Sequence, residues 1–191
     1  MDRLIEGHKR FLAEVFPVRR DQFHLLAEMQ APEWLFITCS DSRVQPDLFL
    51  GTGPGDLFIT RNAGNVVPVT SQDVDGVTAT IEYAVEVLKV KSAILCGHSD
   101  CGALKVALDR AALEDLPKAR RWLEHVEAAF AHRQPLNPAD GERKCGVGIA
   151  DSRQRGGAMD EPAGAAFRGA CSCRGPADGP RVVLRHFERA D

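Results

Sequence analysis

The stretch Trp34 to Val44, WLFITCSDSRV, decides the fold of this chain. An apolar, β-prone run ends abruptly at Cys39 and passes into Asp41 and Arg43, which predicts a buried strand with a thiol, a carboxylate and a guanidinium at its end. A second stretch repeats the design. Ser92 to Cys96 (SAILC) is another short apolar run, and it opens into GHSDCGA, with His98 and Cys101 close behind it. Two strand ends therefore supply two cysteines and a histidine.

Working outward, Asp73 to Val90 contains VTATIEYAVEVLKV, whose apolar spacing predicts a long helix leading back to the SAILC strand. Strand, helix, strand in that order implies an α/β fold with a mostly parallel sheet flanked by helices. Ligands of such sheets lie beyond the carboxyl ends of the strands, where Cys39, His98 and Cys101 all fall. Leu57 to Thr60 (LFIT) is a further strand, entered through GTGPGD and left through RNAGN. Gly51 to Gly55 lacks the lysine of a phosphate loop and reads as a plain turn. Amphipathic helices are expected over Asp2 to Val15, stopped near Pro17, and over Asp21 to Gln30, Ala103 to Arg110 and Pro117 to His132.

A chain of 191 residues with 44% hydrophobic content can bury one good core, so a single domain is expected over 1–144. From about Cys145 the apolar periodicity stops, and eight of the 17 glycines follow residue 144, so 145–191 reads as an irregular or disordered tail. The formal charge of -3 and pI near 6.1 give no reason to expect nucleic acid or an anionic membrane as partner. No apolar segment is long enough for a bilayer span, and MDRLIEGHKRF lacks the apolar centre of a signal peptide, so a cytoplasmic protein is expected. Six cysteines in that compartment point to metal or reactive thiols before disulfides.

Zinc prefers thiolate and imidazole, and three protein ligands leave a fourth tetrahedral position open, the pattern of catalytic sites. Cys39, His98 and Cys101 form such a set. Water in the open position would be far more acidic than bulk water, whose pKa is about 15.7. Asp41 can either close that position or hydrogen bond to the water there, and a bidentate pair with Arg43 would keep it off the metal. Other readings stay open: a structural site closed by Asp41 or Cys96, or a thiol redox site, although no two cysteines have CxxC spacing. Cys96 reads more simply as a buried strand residue. His8, His24, His125 and His132 lie on expected amphipathic helices and read as surface residues.

The motifs CSDSR (Cys39 to Arg43), GHSDCGA (Gly97 to Ala103), PGDLFITRNAGN (Pro54 to Asn65) and EYAV in the crossover helix together resemble the β-class carbonic anhydrases, over about residues 4 to 135. The resemblance implies reversible hydration of CO₂ to bicarbonate and a proton, on Zn²⁺ held by Cys39, His98 and Cys101. Asp41 and Arg43 fall on the family's dyad, which opens and closes the fourth metal position. It also implies that Gln30 and the Gly102 amide hydrogen bond to bicarbonate, that Phe58 and Tyr83 line the CO₂ pocket, and that the pocket forms across a homodimer interface embraced by the N-terminal helix. A subset of the family is regulated by bicarbonate through a tryptophan three residues before the first ligand. Phe36 stands there, so no such regulation is expected.

The last quarter departs from the family, which would carry a helix NVxxQxxxLxxxP and a final strand LxLHxWFFDIxxG. Neither is present. Reading VVLRHFERAD (Val182 to Asp191) one nucleotide later, with permitted codons, gives WFFDISSG, and Arg153 to Ala166 permits NVVAQWTSLRAQP. These readings imply a frame slip between about Pro135 and Cys145, and a sheet lacking its last strand and helix. Two rival functions remain: a CS₂ or COS hydrolase on the same scaffold, and an inactive zinc-stabilised domain.

Overall fold

A computed structural model describes residues 1–68, 75–131, 171–172 and 182–188. The quoted stretch forms strand β1 (Trp34–Cys39). It runs parallel to β2 (Leu57–Asn62) on one side and to β3 (Ser92–His98) on the other. Every residue of β1 from Leu35 to Cys39 is buried, because both faces of the strand are covered. Leu35 and Ile37 join Ala84, Val90, Ala93 and Leu95 in one cluster, with Phe58, Ile81, Val85 and Leu88 packed around it. Phe36, of opposite pleat, meets the ring of Phe49 at 6.4 Å. This two-sided covering is why the run reads as unbroken apolar sequence and not as alternation. Burying a Leu or Ile side chain stabilises by about 1.5–3 kcal/mol, so β1 anchors the domain.

The crossover helix α4 begins at Gly76, somewhat later than the periodicity predicts. Asp75 explains the start: its carboxylate accepts the amides of Val77 and Thr78 at 2.7 and 3.1 Å, the geometry of an N-cap. After Glu82 the helix widens into a π turn, Tyr83–Val87, and then delivers the chain to β3.

A short helix, which the sequence reading passed over, spans Pro46–Leu50 (α3). Pro46 opens it and Gly51, at φ 67°, ends it in the left-handed conformation that glycine adopts without strain. The expected plain turn follows, closed by Gly53 N–H to Asp56 Oδ2 at 2.7 Å. A Cβ on Gly55 (φ 95°) would come within 2.5 Å of Leu26 Cδ2, so this turn is tightly seated against helix α2 (Arg20–Glu28). Gln22 adds a hydrogen bond to the Pro54 carbonyl at 3.0 Å.

Helices α5 (Gly102–Leu108) and α6 (Pro117–Ala131) bury a second cluster of Val66, Ala107, Leu113, Leu123 and Val126. The N-terminal helix α1 (Asp2–Arg10), continued by a π turn over Phe11–Val15, buries no residue within the chain. Leu4, Ile5, Leu12 and Val15 are all exposed.

The sheet order is β2-β1-β3-β5-β4, where β4 is Cys171–Ser172 and β5 is Val182–Glu188. Val182–Glu188 lies in the segment that the sequence reading takes as an irregular tail. It pairs antiparallel with β3 along its whole length, His98 facing Val182. The sequence VVLRHFE explains it physically, since β-branched and aromatic residues suit a pleated strand whatever their origin. The expected missing helix, the boundary at 144/145 and His132 lie outside the described residues. No helix among the described residues is long and apolar enough to cross a membrane.

Candidate metal centre

Because β1 and β3 are parallel neighbours, their carboxyl ends abut, and each ends on a residue with a metal-binding side chain: Cys39 and His98. Cys101 follows as the N-cap of α5, after a turn in which Asp100 takes a left-handed φ of 59°. All three side chains are buried. Their donor atoms lie within 4.8 Å of one another, a set able to hold a metal ion.

The fit can be tested on the sulfurs. Cys39 Sγ and Cys101 Sγ are 3.8 Å apart. Two Zn–S bonds of about 2.3 Å meeting at a tetrahedral angle place their sulfurs about 3.8 Å apart. His98 supplies the second test. Both of its ring nitrogens are buried without a hydrogen-bond partner. Buried polar atoms are rarely left so, and an imidazole nitrogen close to two sulfurs suits a cation. The two sulfurs are within hydrogen-bond reach of each other. The bond from Cys101 lowers the Cys39 thiol to about 4, against its burial, with the amides of Asp41 and Gly64 and the side chain of His98 also lowering it. The same bond and burial push Cys101 the other way.

Asp41 and Arg43 form a bidentate pair beside this group. Arg43 Nε donates to Asp41 Oδ1 at 2.9 Å and Nη2 to Oδ2 at 2.8 Å, with the Arg43 amide on Oδ1 at 3.0 Å. These bonds hold the Asp41 carboxyl well below the usual carboxylate range. Asp41 Oδ2 is 3.8 Å from His98 Nε2, too long for a hydrogen bond. The carboxylate therefore faces the guanidinium at the edge of the ligand set.

The remaining expected residues are spread differently. Gly102 is the first residue of α5, directly after Cys101. The rings of Phe58 and Tyr83 pack at 5.9 Å, with Tyr83 substantially exposed. Gln30 is exposed beyond the end of α2 and joins none of the hydrogen bonds described around the sulfurs. Cys96 is fully buried in β3, with Thr38 Oγ1 donating to its carbonyl at 3.1 Å, and stands outside the ligand set.

Three residues of the site were missed by the sequence reading. Arg61 donates from Nε to the Cys39 carbonyl at 3.1 Å, and from Nη2 to the carbonyls of Asp41 and Val44 at 2.8 and 2.7 Å. Asp100 accepts Arg43 Nη2 on its carbonyl at 3.0 Å, and its carboxylate pairs with Lys105. Only the place of Arg61 directly after the LFIT run hinted at this, since strand-end cations face the same loops as strand-end ligands.

The carbonic anhydrase family model matches residues 34–152. The chain is 49% identical over 131 residues to a carbonic anhydrase of Pseudomonas aeruginosa, covering 69% of this chain and 60% of that one. Among solved structures it is similar to a β-carbonic anhydrase at a TM-score of 0.65 and 42% identity, covering 71% of this chain and 69% of that one. It is also similar to one of two tetrameric β-carbonic anhydrases of Sordaria macrospora, at a TM-score of 0.60 and 36% identity, covering 69% and 64%. The chain spans about half to three fifths of the length of the curated relatives it matches. A family match over more than half the chain, and a sheet that brings Cys39, His98 and Cys101 together, lead to one conclusion: this chain belongs to the carbonic anhydrases, in their β class.

Proposed function

We propose that the protein catalyses the reversible hydration of CO₂ to bicarbonate and a proton, with zinc held by Cys39, His98 and Cys101. The observation that carries this reading is the buried ligand triangle with its 3.8 Å sulfur pair beside a carboxylate that Arg43 holds in two hydrogen bonds. Bound there, zinc would supply Lewis acidity and an acidified water as nucleophile. The chain's own residues do the rest. Cys39 and Cys101 would offset the charge of the cation, and the backbone amides directed at both sulfurs would favour their thiolate forms there.

Asp41 has two tasks in this reading. Paired with Arg43 it would stay clear of a metal held by Cys39, His98 and Cys101 and could relay a proton outward from its Oδ2 edge to buffer; released from Arg43 it would be able to serve as a further ligand and close the site. Phe58 and Tyr83 offer CO₂ a weakly interacting apolar wall, suited to a molecule of little polarity. The Gly102 amide and Gln30 are assigned to the bicarbonate oxygens. The exposure of Gln30 and of the apolar face of α1 supports completion of this pocket by a second copy of the chain, as a homodimer or larger homo-oligomer. Cys39 and Cys101, buried side by side and not joined by a disulfide, support a reducing, cytoplasmic location. For the tail, a reading-frame slip between about Pro135 and Cys145 remains our reading; resequencing that stretch tests it, and an intact frame removes it.

Zinc content and CO₂ hydration measured on one purified sample test the function. Stoichiometric zinc with turnover is expected. Stoichiometric zinc without turnover would favour the second reading, a metal-stabilised silent domain. Absence of zinc after reconstitution would remove both.

A further inference from the structure

Asp41 lies close enough to His98 that a small movement of its loop would bring the carboxylate to any ion held there, since Oδ2 is 3.8 Å from Nε2. What prevents this cannot be Arg43 alone. Arg43 belongs to the same loop, two residues on, and moves with it. A loop is positioned from outside, by groups on elements that stay in place.

Two such groups touch it. Asp100 holds Arg43 through its carbonyl, but from another irregular turn. Arg61 is different. It belongs to β2, in parallel register with β1, with Thr38 facing Arg61 and Cys39 facing Asn62. From that strand its guanidinium gathers three carbonyls of the passing chain: Cys39 at 3.1 Å, Asp41 at 2.8 Å and Val44 at 2.7 Å. They mark the start, the middle and the end of the connection from β1 to α3. The planar fork of arginine suits this task, since its donors diverge in fixed directions and a lysine ammonium could not reproduce them. Other ties on this stretch are Ser40 N–H to the Asn62 carbonyl at 2.9 Å, Gln45 Nε2 to the Ser42 carbonyl at 3.3 Å and a turn from Val44 N–H to the Asp41 carbonyl at 3.0 Å. Of these only the Val44 amide reaches the Asp41 carbonyl, and it comes from the same loop, whereas Arg61 reaches it from β2.

We propose that Arg61 is a positioning residue for the Asp41–Arg43 pair: by clamping the carbonyls of Cys39, Asp41 and Val44, it keeps the Asp41 carboxylate turned toward Arg43 and off the metal position. The proposal rests on the metal-site reading above. Loss of the clamp shifts the balance toward the closed arrangement without removing a ligand.

The test uses the full chain loaded with cobalt(II), whose visible spectrum reports ligand number, and azide as a small anion that competes for the fourth position. The parent is expected to bind cobalt and to change spectrum on azide addition. Arg61→Gln should retain cobalt but bind azide about 10- to 100-fold more weakly, the usual cost of removing a supporting contact. Adding Asp41→Asn to Arg61→Gln should restore azide binding, which a merely structural role for Arg61 would not produce. Arg61→Lys, with and without Asp41→Asn, carries the same comparison if Arg61→Gln fails to fold. Undiminished azide binding in the Arg61 variants, or a loss that Asp41→Asn does not repair, overturns the proposal while leaving the metal site standing. A parent that takes up no cobalt overturns the metal-site reading itself.

Discussion

The central sheet and the N-terminal arm both carry apolar residues in a regular pattern, and the structure treats them oppositely. In β1 and β3 the apolar residues are buried and end on metal-binding side chains. In α1 an amphipathic helix is left exposed among the described residues, and beyond it the rings of Phe11, Phe16 and Phe23 meet in tilted and edge-on contacts. The difference teaches that an apolar pattern states that a face requires cover but not which surface supplies it. For β1 the cover is local, because the crossover helix must return over the sheet. For α1 no element among the described residues brings a surface back over it.

This contrast can be broken experimentally, most sharply at the metal centre. Cys101→Ser should lose bound zinc outright on dialysis, read by metal analysis; retention would mean that the sheet ends are not the site. Arg43→Ala comes next: CO₂ hydration near neutral pH should fall about 10- to 100-fold with zinc content unchanged, as Asp41 is released to close the position. Undiminished turnover would separate the pair from the chemistry.

Stability then distinguishes the two regions directly. Leu35→Ala, at a fully buried position of β1, should cost about 2–5 kcal/mol in denaturant unfolding. Leu12→Glu, at an exposed position of the arm, should change the stability of the isolated chain by no more than about 0.5 kcal/mol while lowering its apparent mass at a given concentration. Equal costs at the two positions would end the comparison.

The smallest effect concerns acid. The folded pKa of Asp41 is depressed by Arg43, so its contribution to stability is complete above its ordinary value of 3.8 and disappears as pH falls through the lower folded value. The Tm difference between the parent and Asp41→Asn should therefore be constant around neutral pH and shrink only below about 4. A difference that grows in acid would reverse the assigned sign.

Much of this was legible in residues alone. The WLFITC and SAILC runs announced buried strands, and the helical spacing between them forced a parallel pairing, so the two strand ends had to meet. Softness and spacing then singled out Cys39, His98 and Cys101 over the other cysteines and histidines. Short elements were less legible. Pro46–Leu50 is too brief to show a period, and its proline and glycine punctuate turns as readily as helices. The strand Val182–Glu188 was hidden by its departure from the family's pattern, although its β-branched start satisfies the same pleat.

By itself, then, the sequence determined which elements form and which side chains can bind a metal, because both follow from local periodicity and from the chemistry of single residue types. Only the tertiary structure revealed the pairing of Asp41 with Arg43 and the contacts of Arg61 and Asp100 with that loop. Those depend on parallel register and on turn geometry, which place groups from β2 and from the β3–α5 turn against one loop at hydrogen-bond distance. No spacing along a chain encodes a contact that exists only once three separate segments have been brought side by side.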